Sequence, residues 1–449
     1  MKVEANAVAC RLEVLGVGDE GALRRATRRP LAALRFRRSL RDDAPRGARS
    51  KAVAASSHVH VRFPPGERGG VAGGSTANPR RTTRMTGVRR ALRVVAIWAS
   101  IVNLVMIVAV TVLLRTVGES WWLTALLAYS PRLLLAGPLL LTVPLLAWCG
   151  PRPLLWTQVV AFFIWLFPLM GFQWALQVPA AHGPPLRLLT YNVARLRGGA
   201  DGVCKTILAQ DADVVVLQEA AGPRTSRLVT CLSASFPEVH SRGEFLLASR
   251  FPVRKATPVQ GFSYRGEPWQ ARAARYELET PLGSLALYSI HPGSPREAVA
   301  AMRQSGLREQ LRRHNIFGGY AAKRARSNVA VRELQFAAAL RQAAAEPGLV
   351  IVAGDTNLPG LSPVIATHTR RFQDGFEQAG QGFGYSYPSR APFVRIDRIF
   401  ADRRLAFNSF GEACGQASDH QCLVADVSLR PESERRAWLR QESTSQPAE

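Results

Sequence analysis

The chain has 449 residues, 47% of them hydrophobic, and a formal net charge of +25. That length excludes a single ordinary domain and suits several domains, or one domain with a membrane region. The charge is uneven: residues 1–84 hold 18 Lys/Arg against 7 Asp/Glu and so carry +11 of the total.

Residues 1–84 are rich in Arg, Ala, Gly and Ser and lack apolar periodicity, which predicts a disordered segment. Two readings fit it: a basic arm for anionic lipid or nucleic acid, or an over-extended reading frame, since Met85 stands just before a hydrophobic span. Residues 85–180 are expected to form a membrane region. Residues 91–114 carry one charge, Arg93, and are long enough to cross a bilayer, which takes about 20 apolar residues. A second run, 121–148, is interrupted at Pro131-Arg132, so its spanning core is 133–148; a third covers 154–177. Runs this apolar all round are not soluble core helices, and a cleaved signal peptide would explain only the first. Arg80, Arg81, Arg84, Arg89 and Arg90 precede the first span and place the N-terminus inside. Three spans then put everything after residue 180 on the extracytoplasmic side of a bacterial cytoplasmic membrane. Trp121, Trp122, Trp156, Trp165 and Trp174 are read as interfacial anchors and lipid-facing bulk.

Residues 181–430 are expected to fold as one domain, followed by a polar tail, 431–449. Its strands are predicted at 186–193, 212–219, 245–249, 271–279, 283–291, 349–355, 393–400, 405–412 and 422–429, with helices over 200–210, 223–234 and 328–345. Strands interleaved with helices predict an α/β sandwich of two sheets covered by helices. The segment 293–327 is long, basic and without strand character; a solvated helix face and a contact for phosphate or anionic headgroups are equal readings of it.

The clearest stretch is Leu349-Val-Ile-Val-Ala-Gly-Asp-Thr-Asn-Leu-Pro-Gly360, a buried strand that ends in Asp355 and Asn357. Taken alone, these two could simply cap a turn. Repetition favours a site: other strand ends carry Asn192, Glu219, His291, Asp397, and the Ser418-Asp419-His420 run. These are mostly oxygen donors, which favour magnesium, with manganese as the alternative, over zinc. A cation on Glu219 would polarise a phosphoryl oxygen. Asp397 is placed to orient His420 as a proton shuttle. Asp355, supported by Asn357, would orient or deprotonate an attacking water, and His291 would donate to the phosphoryl group.

The series Tyr191-Asn192, Leu217-Gln218-Glu219, Ser249-Arg-Phe-Pro252, Ile290-His291, Gly354-Asp-Thr-Asn357, Arg395-Ile-Asp-Arg-Ile-Phe400 and Ser418-Asp-His420 resembles the endonuclease/exonuclease/phosphatase superfamily over residues 186–429. The resemblance implies a four-layered α/β sandwich and a magnesium-dependent phosphoesterase. It implies Asn192, Glu219 and Asp419 at the metal site, and Asn192, His291 and Asn357 on phosphate. It makes Asp355 the water-orienting residue, Asp397 the partner of His420, and His420 the general base. Three departures stand out: Thr356 where the family usually has an aromatic residue, Pro292 where Leu is commoner, and the long basic segment. His291 argues against the apurinic-site repair branch. Three spans before such a domain also resemble bacterial membrane proteins linked to teicoplanin resistance, which implies a lipid-linked phosphate or pyrophosphate substrate. An envelope-associated nuclease and a non-catalytic, membrane-tethered phosphate-binding module are the alternatives. The remaining histidines are read as structural or solvent-facing. Cys204, Cys231, Cys414 and Cys422 allow three pairings, one of which would brace the loop between Cys414 and Cys422; buried free thiols are the other reading.

Overall fold

The computed structural model describes residues 79–175, 182–296 and 320–436. The basic segment as far as residue 78, most of the basic stretch 293–327, and the tail beyond 436 lie outside the described residues.

Three helical stretches are long and apolar enough to cross a membrane: Gly87–Thr116, Arg132–Cys149 and Arg152–Leu169. The first is the greater part of α1 (Pro79–Thr116); a short α2 (Trp122–Ala128) follows, then α3 (Gly137–Cys149) and α4 (Leu155–Ile164). Gln158 ties the three together. Its Nε2 donates to Ser100 Oγ at 2.8 Å, while its Oε1 accepts from Asn103 Nδ2 at 2.9 Å and Thr142 Oγ1 at 2.7 Å. These bonds satisfy polar groups buried between the three helices. Leu134, Leu140, Leu141, Trp148 and Trp156 point outward. The third stretch stops at Leu169 instead of continuing to 177. Pro168 has no N–H to continue the ladder, the chain widens into a π-turn over Trp165–Leu169, and Gly171 at φ +80° turns it away. Trp174 consequently lies in a short strand paired with Gln381, outside any span.

After residue 182 the chain builds two six-stranded sheets. In chain order the strands are β1 (His182–Asn192), β2 (Val214–Gln218), β3 (Glu238–Arg242), β4 (Phe245–Ser249), β5 (Val253–Pro258), β6 (Ala273–Thr280), β7 (Gly283–Ile290), β8 (Leu349–Asp355), β9 (Phe372–Asp374), β10 (Asp397–Asp402), β11 (Leu405–Glu412) and β12 (Leu423–Leu429). One sheet runs β11-β12-β1-β2-β4-β3, the other β9-β10-β8-β7-β6-β5. Each has one parallel pair at its centre, β1 with β2 and β7 with β8, and antiparallel neighbours outside it. Apolar residues of both sheets, among them Leu188, Val216, Leu287, Ile351, Phe407 and Val427, fill the space between them. Helices α5 (Ala200–Leu208) and α6 (Thr225–Ser233) pack on the far face of the first sheet, and α7 (Tyr320–Ala344) on that of the second. The result is the α/β architecture of two mixed sheets flanked by helices. Central strands such as Val214–Gln218 are apolar throughout because both faces are covered.

The expected strands and helices are found near their predicted places; α7 begins at Tyr320 rather than 328. Strands β3, β5 and β9 had no counterpart in the sequence reading. They are edge or near-edge strands in which polar residues alternate irregularly, so period-2 patterning is weak.

Candidate active site

Two parallel pairs place two sets of C-terminal strand ends on the same side of the sandwich. β1 delivers Asn192, and Glu219 follows β2 directly; these two chain positions are neighbours because Asn192 is in register with Gln218. His291 follows β7, whose last residue Ile290 is in register with Gly354 of β8, so His291 sits beside Asp355. β10 runs antiparallel to β8 and sets Asp397 opposite Asp355. The loop before β12 brings Asp419 and His420. All eight residues singled out in the sequence therefore lie at one end of the two sheets.

Asp355 is the centre and is almost fully buried. Its Oδ1 accepts the Asn357 N–H at 2.8 Å, and its Oδ2 accepts from Asn192 Nδ2 at 3.0 Å. The same Oδ2 lies 3.7 Å from His291 Nε2 and 3.8 Å from His420 Nε2. Burial and the neighbouring Asp397 charge push the Asp355 carboxyl above its ordinary range. His420 Nδ1 is 2.9 Å from Asp397 Oδ2. Burial alone would lower the His420 pKa, but the Asp397 and Asp355 carboxylates outweigh it and raise it to about 9. The Tyr387 ring covers His420 at 4.9 Å between centroids. Among the described residues, Asp355, Asp397 and His420 form the one group of His, Cys, Asp or Glu side chains close enough together to share an ion.

The other flank is more open. Glu219 Oε1 stands 3.7 Å from His291 Nε2, and Oε2 is 3.9 Å from Arg195 Nε. His291 Nδ1 is 2.9 Å from Glu244 Oε2, and Arg272 bridges both Glu244 oxygens through its Nη2 at 2.8 and 2.9 Å. Burial raises the Glu244 pKa, yet His291 and Arg272 together hold it below its usual value. Asp419 Oδ2 pairs with Arg296 at 3.1 Å, and its Oδ1 is buried without a hydrogen-bond partner. Asn192 turns its Nδ2 toward Asp355 and Glu219, while its Oδ1 accepts the Ala194 N–H at 3.0 Å. Asn357 Nδ2 donates to Pro292 O at 3.0 Å, so one of its two protons stays inside the protein. The site opens into a cleft of about 770 Å³ whose walls carry Arg195, Arg197, Arg272 and Arg296.

Backbone strain concentrates here. Of eight non-glycine residues with positive φ among the described residues, six are at these strand ends or beside them: Ala194, Arg195, Leu196, Glu219, Arg272 and Asn357. Each such conformation costs on the order of 1–3 kcal/mol and persists where surrounding contacts fix it.

Hard oxygen donors suit a small divalent cation. The donor set fits one: Glu219 faces the cleft, and Asp419 Oδ1 is a buried carboxylate oxygen left without a proton donor. Thr356, where an aromatic residue was expected, is buried and donates to Ile396 O at 2.6 Å, so it braces β8 and does not line the site. Glu244 and Arg272, which set the His291 ring, escaped the sequence reading. Glu244 is a charged residue in the turn between β3 and β4, Arg272 one at the end of the long connection from β5 to β6, and nothing local sets either apart. Disulfides join Cys204 to Cys231 and Cys414 to Cys422, the second closing the loop that carries His420.

Residues 189–420 match the model of the Endonuclease/Exonuclease/phosphatase family. No curated protein matches the chain in sequence. Similar solved structures include an endonuclease/exonuclease/phosphatase protein of Beutenbergia cavernae, 19% identical, covering 55% of this chain and 72% of that one, at a TM-score of 0.39. D. rerio TDP2 in complex with a single-strand DNA product is 18% identical, over 54% of this chain and 99% of that one, at a TM-score of 0.40. The beta toxin of Staphylococcus aureus is 14% identical, over 54% and 99%, at a TM-score of 0.37.

Proposed function

The chain belongs to the endonuclease/exonuclease/phosphatase family, and from that premise we propose that it is a membrane-anchored, divalent-cation-dependent phosphoesterase that cleaves its substrate by in-line attack of water on phosphorus. Members of this family are usually hydrolases of phosphoester bonds. The observation that carries the reading is the convergence on Asp355 of two imidazole edges, 3.7 and 3.8 Å away, one of them backed by the buried carboxylate of Asp397.

Glu219, Asp419 and Asn192 would hold the cation, magnesium before manganese. Bound there, it would polarise a phosphoryl oxygen and stabilise the leaving oxygen. Asp355 orients the attacking water from a position fixed by the Asn357 N–H and by Asn192. His420 takes a proton from that water, with Asp397 keeping the ring in place and its Nδ1 proton engaged. To act as base, His420 must first lose the proton that Asp397 and Asp355 hold on it. His291 donates from Nε2 to the phosphoryl group, its ring set by Glu244 through Nδ1. Asn357 keeps one amide proton to offer a phosphate oxygen beside the one given to Pro292 O, and Asn192 would offer one by turning its Nδ2 from Glu219.

The substrate is a phosphodiester, phosphomonoester or pyrophosphate. A lipid-linked phosphate is favoured, because three apolar helices precede the domain and pack against its loops. The two disulfides suit an oxidising compartment, which agrees with a catalytic domain outside the cytoplasmic membrane. The arginine-lined cleft keeps an envelope nuclease as the second reading, since a polyanion would lie along it.

The full chain in liposomes, assayed against a polyprenyl pyrophosphate, sphingomyelin, inositol phosphates and plasmid DNA, tests the reading. Hydrolysis of one class, lost with EDTA and in His420→Ala, is expected. A folded wild-type protein that turns over none of them would sink it.

A further inference from the structure

The segment between the first two apolar stretches does more than connect them. Its residue Tyr129 is half-buried against the catalytic domain, and its ring lines a narrow pocket of about 80 Å³ together with Glu219, Asp355, Asn357 and His420. The Tyr129 hydroxyl donates to the main-chain oxygen of Asn357 at 2.8 Å. It also accepts from Arg332 Nη1 at 3.1 Å.

Both partners matter to the site. Asn357 sits at φ +51°, a conformation that surrounding contacts must hold. Its N–H is spent on Asp355 and its side chain on Pro292 O, so Tyr129 supplies a third restraint, on the carbonyl. Arg332 is 1% exposed and lies on α7. Its Nε donates to Gly293 O at 2.8 Å, two residues past His291, and its Nη2 donates to Asn328. One hydroxyl thus joins the loop after His291 to the loop after Asp355. Arg332 is tied at once to the loop after His291, to its own helix and to Tyr129 of the inter-helix segment.

We propose that Tyr129 is a positioning residue of the active site: its hydroxyl fixes Asn357 and Arg332, so that the membrane region completes the catalytic centre. The catalytic part of this inference rests on the phosphoesterase reading; the restraint on the two loops does not.

The experiment uses full-length protein in detergent micelles, as wild type, Tyr129→Phe, Arg332→Lys and Leu140→Ala. The last alters an outward-facing residue of α3. Amide hydrogen exchange is followed in peptides covering 355–360 and 290–296, and turnover of bis(p-nitrophenyl) phosphate with magnesium is measured beside it. Tyr129→Phe keeps the ring and removes only the hydroxyl. Its expected effects are about tenfold faster exchange at 355–360 and about a tenfold fall in kcat with KM within about twofold, because a loop misplaced by a fraction of an ångström costs this much. Arg332→Lys keeps the charge and removes the fork that reaches Tyr129 and Gly293 together; it should speed exchange mainly at 290–296, and Leu140→Ala should match wild type in both. Unchanged exchange at 355–360 in Tyr129→Phe overturns the inference. So does an unchanged kcat for Tyr129→Phe in an active enzyme. If wild type does not turn over this diester, the substrate panel above decides the phosphoesterase reading, and exchange alone still decides whether Tyr129 restrains the two loops. Should Tyr129→Phe fail to fold, faster exchange at 290–296 in Arg332→Lys supports the inference and unchanged exchange there overturns it.

Discussion

His291 and His420 approach the same oxygen of Asp355, at 3.7 and 3.8 Å, yet they are held in different ways. His420 leans on Asp397, a buried carboxylate whose second oxygen has no hydrogen-bond partner. His291 leans on Glu244, whose charge is already shared with Arg272. An uncommitted carboxylate gives its whole field to the imidazole and favours the protonated ring; a carboxylate neutralised by arginine mainly sets orientation. The His420 flank is closed by the Tyr387 ring, whereas the His291 flank opens on the arginine-lined cleft. In the proposed reaction one side would transfer the proton and the other would receive the anion.

The largest effect is expected at His420. On the proposed reading, replacing it with Ala removes the proton-transfer group and should lower kcat by about 10³-fold, in the middle of what general acid–base groups contribute. His291→Ala should cost less in kcat and more in KM, since the proposed contact to phosphate is made in ground state and transition state alike. Equal losses in kcat with KM unmoved in both variants would erase the distinction.

Asp397→Asn comes next, at about 10²-fold in kcat, because the amide still orients the ring while its charge is gone. The same substitution has a signature in stability. In protein stripped of cations with EDTA, His420 has a folded pKa of about 9 against 6.5 when unfolded. A raised pKa contributes stability that is fully present below pH 6.5 and is lost as pH rises through 9. The shift corresponds to roughly 3–4 kcal/mol at most, taking roughly 1.4 kcal/mol per unit. Wild type should thus lose thermal stability more steeply than Asp397→Asn between pH 6.5 and 9. Parallel pH curves would show that Asp397 does not hold the His420 proton.

Glu244→Gln is expected to act more mildly, at about tenfold in kcat/KM, since a glutamine oxygen can still accept from Nδ1 and Arg272 remains nearby. A loss as deep as that of Asp397→Asn would mean that Glu244 supplies charge and not only orientation.

Much of this arrangement is legible in the sequence, for a physical reason. Buried central strands must be apolar along their length, so a polar residue at their ends stands out: Asn192 after Leu-Leu-Thr-Tyr, Glu219 after Val-Val-Val-Leu-Gln, Asp355 after Val-Ile-Val-Ala-Gly. The three apolar helices were visible by the same logic. Glu244, Arg272 and Tyr129 were not. Glu244 sits in the β3–β4 turn and Arg272 at the end of the long β5–β6 connection, both among many charged residues, and they meet His291 only because β4, β6 and β7 bring distant segments together. Tyr129 lies in an apolar run and carries no local signal until the fold sets its hydroxyl against Asn357. The early end of the third span at Leu169 was hidden because composition stays apolar past Pro168 while the backbone geometry changes there.

The smallest effect on catalysis should come from the Cys414–Cys422 disulfide, although it closes the loop that carries His420. That loop has independent anchors. Ser418 Oγ donates to Asn192 O at 2.7 Å, Ser389 Oγ to Ser418 O at 2.6 Å, the Ser389 N–H to Asp419 O at 2.8 Å, and the Gln421 N–H to Ser386 O at 2.7 Å. Each of these fixes the folded loop, whereas a cross-link acts mainly on the unfolded chain. For a loop of 8 residues, the chain-entropy estimate is about 2.5 kcal/mol. The Cys414→Ser, Cys422→Ser double variant should therefore unfold at a lower temperature by an amount of that order, with kcat within about threefold of wild type. A kcat that falls to the level of Asp397→Asn, in protein still folded at the assay temperature, would show that the covalent link, and not the serine-centred hydrogen bonds, holds His420 on Asp397.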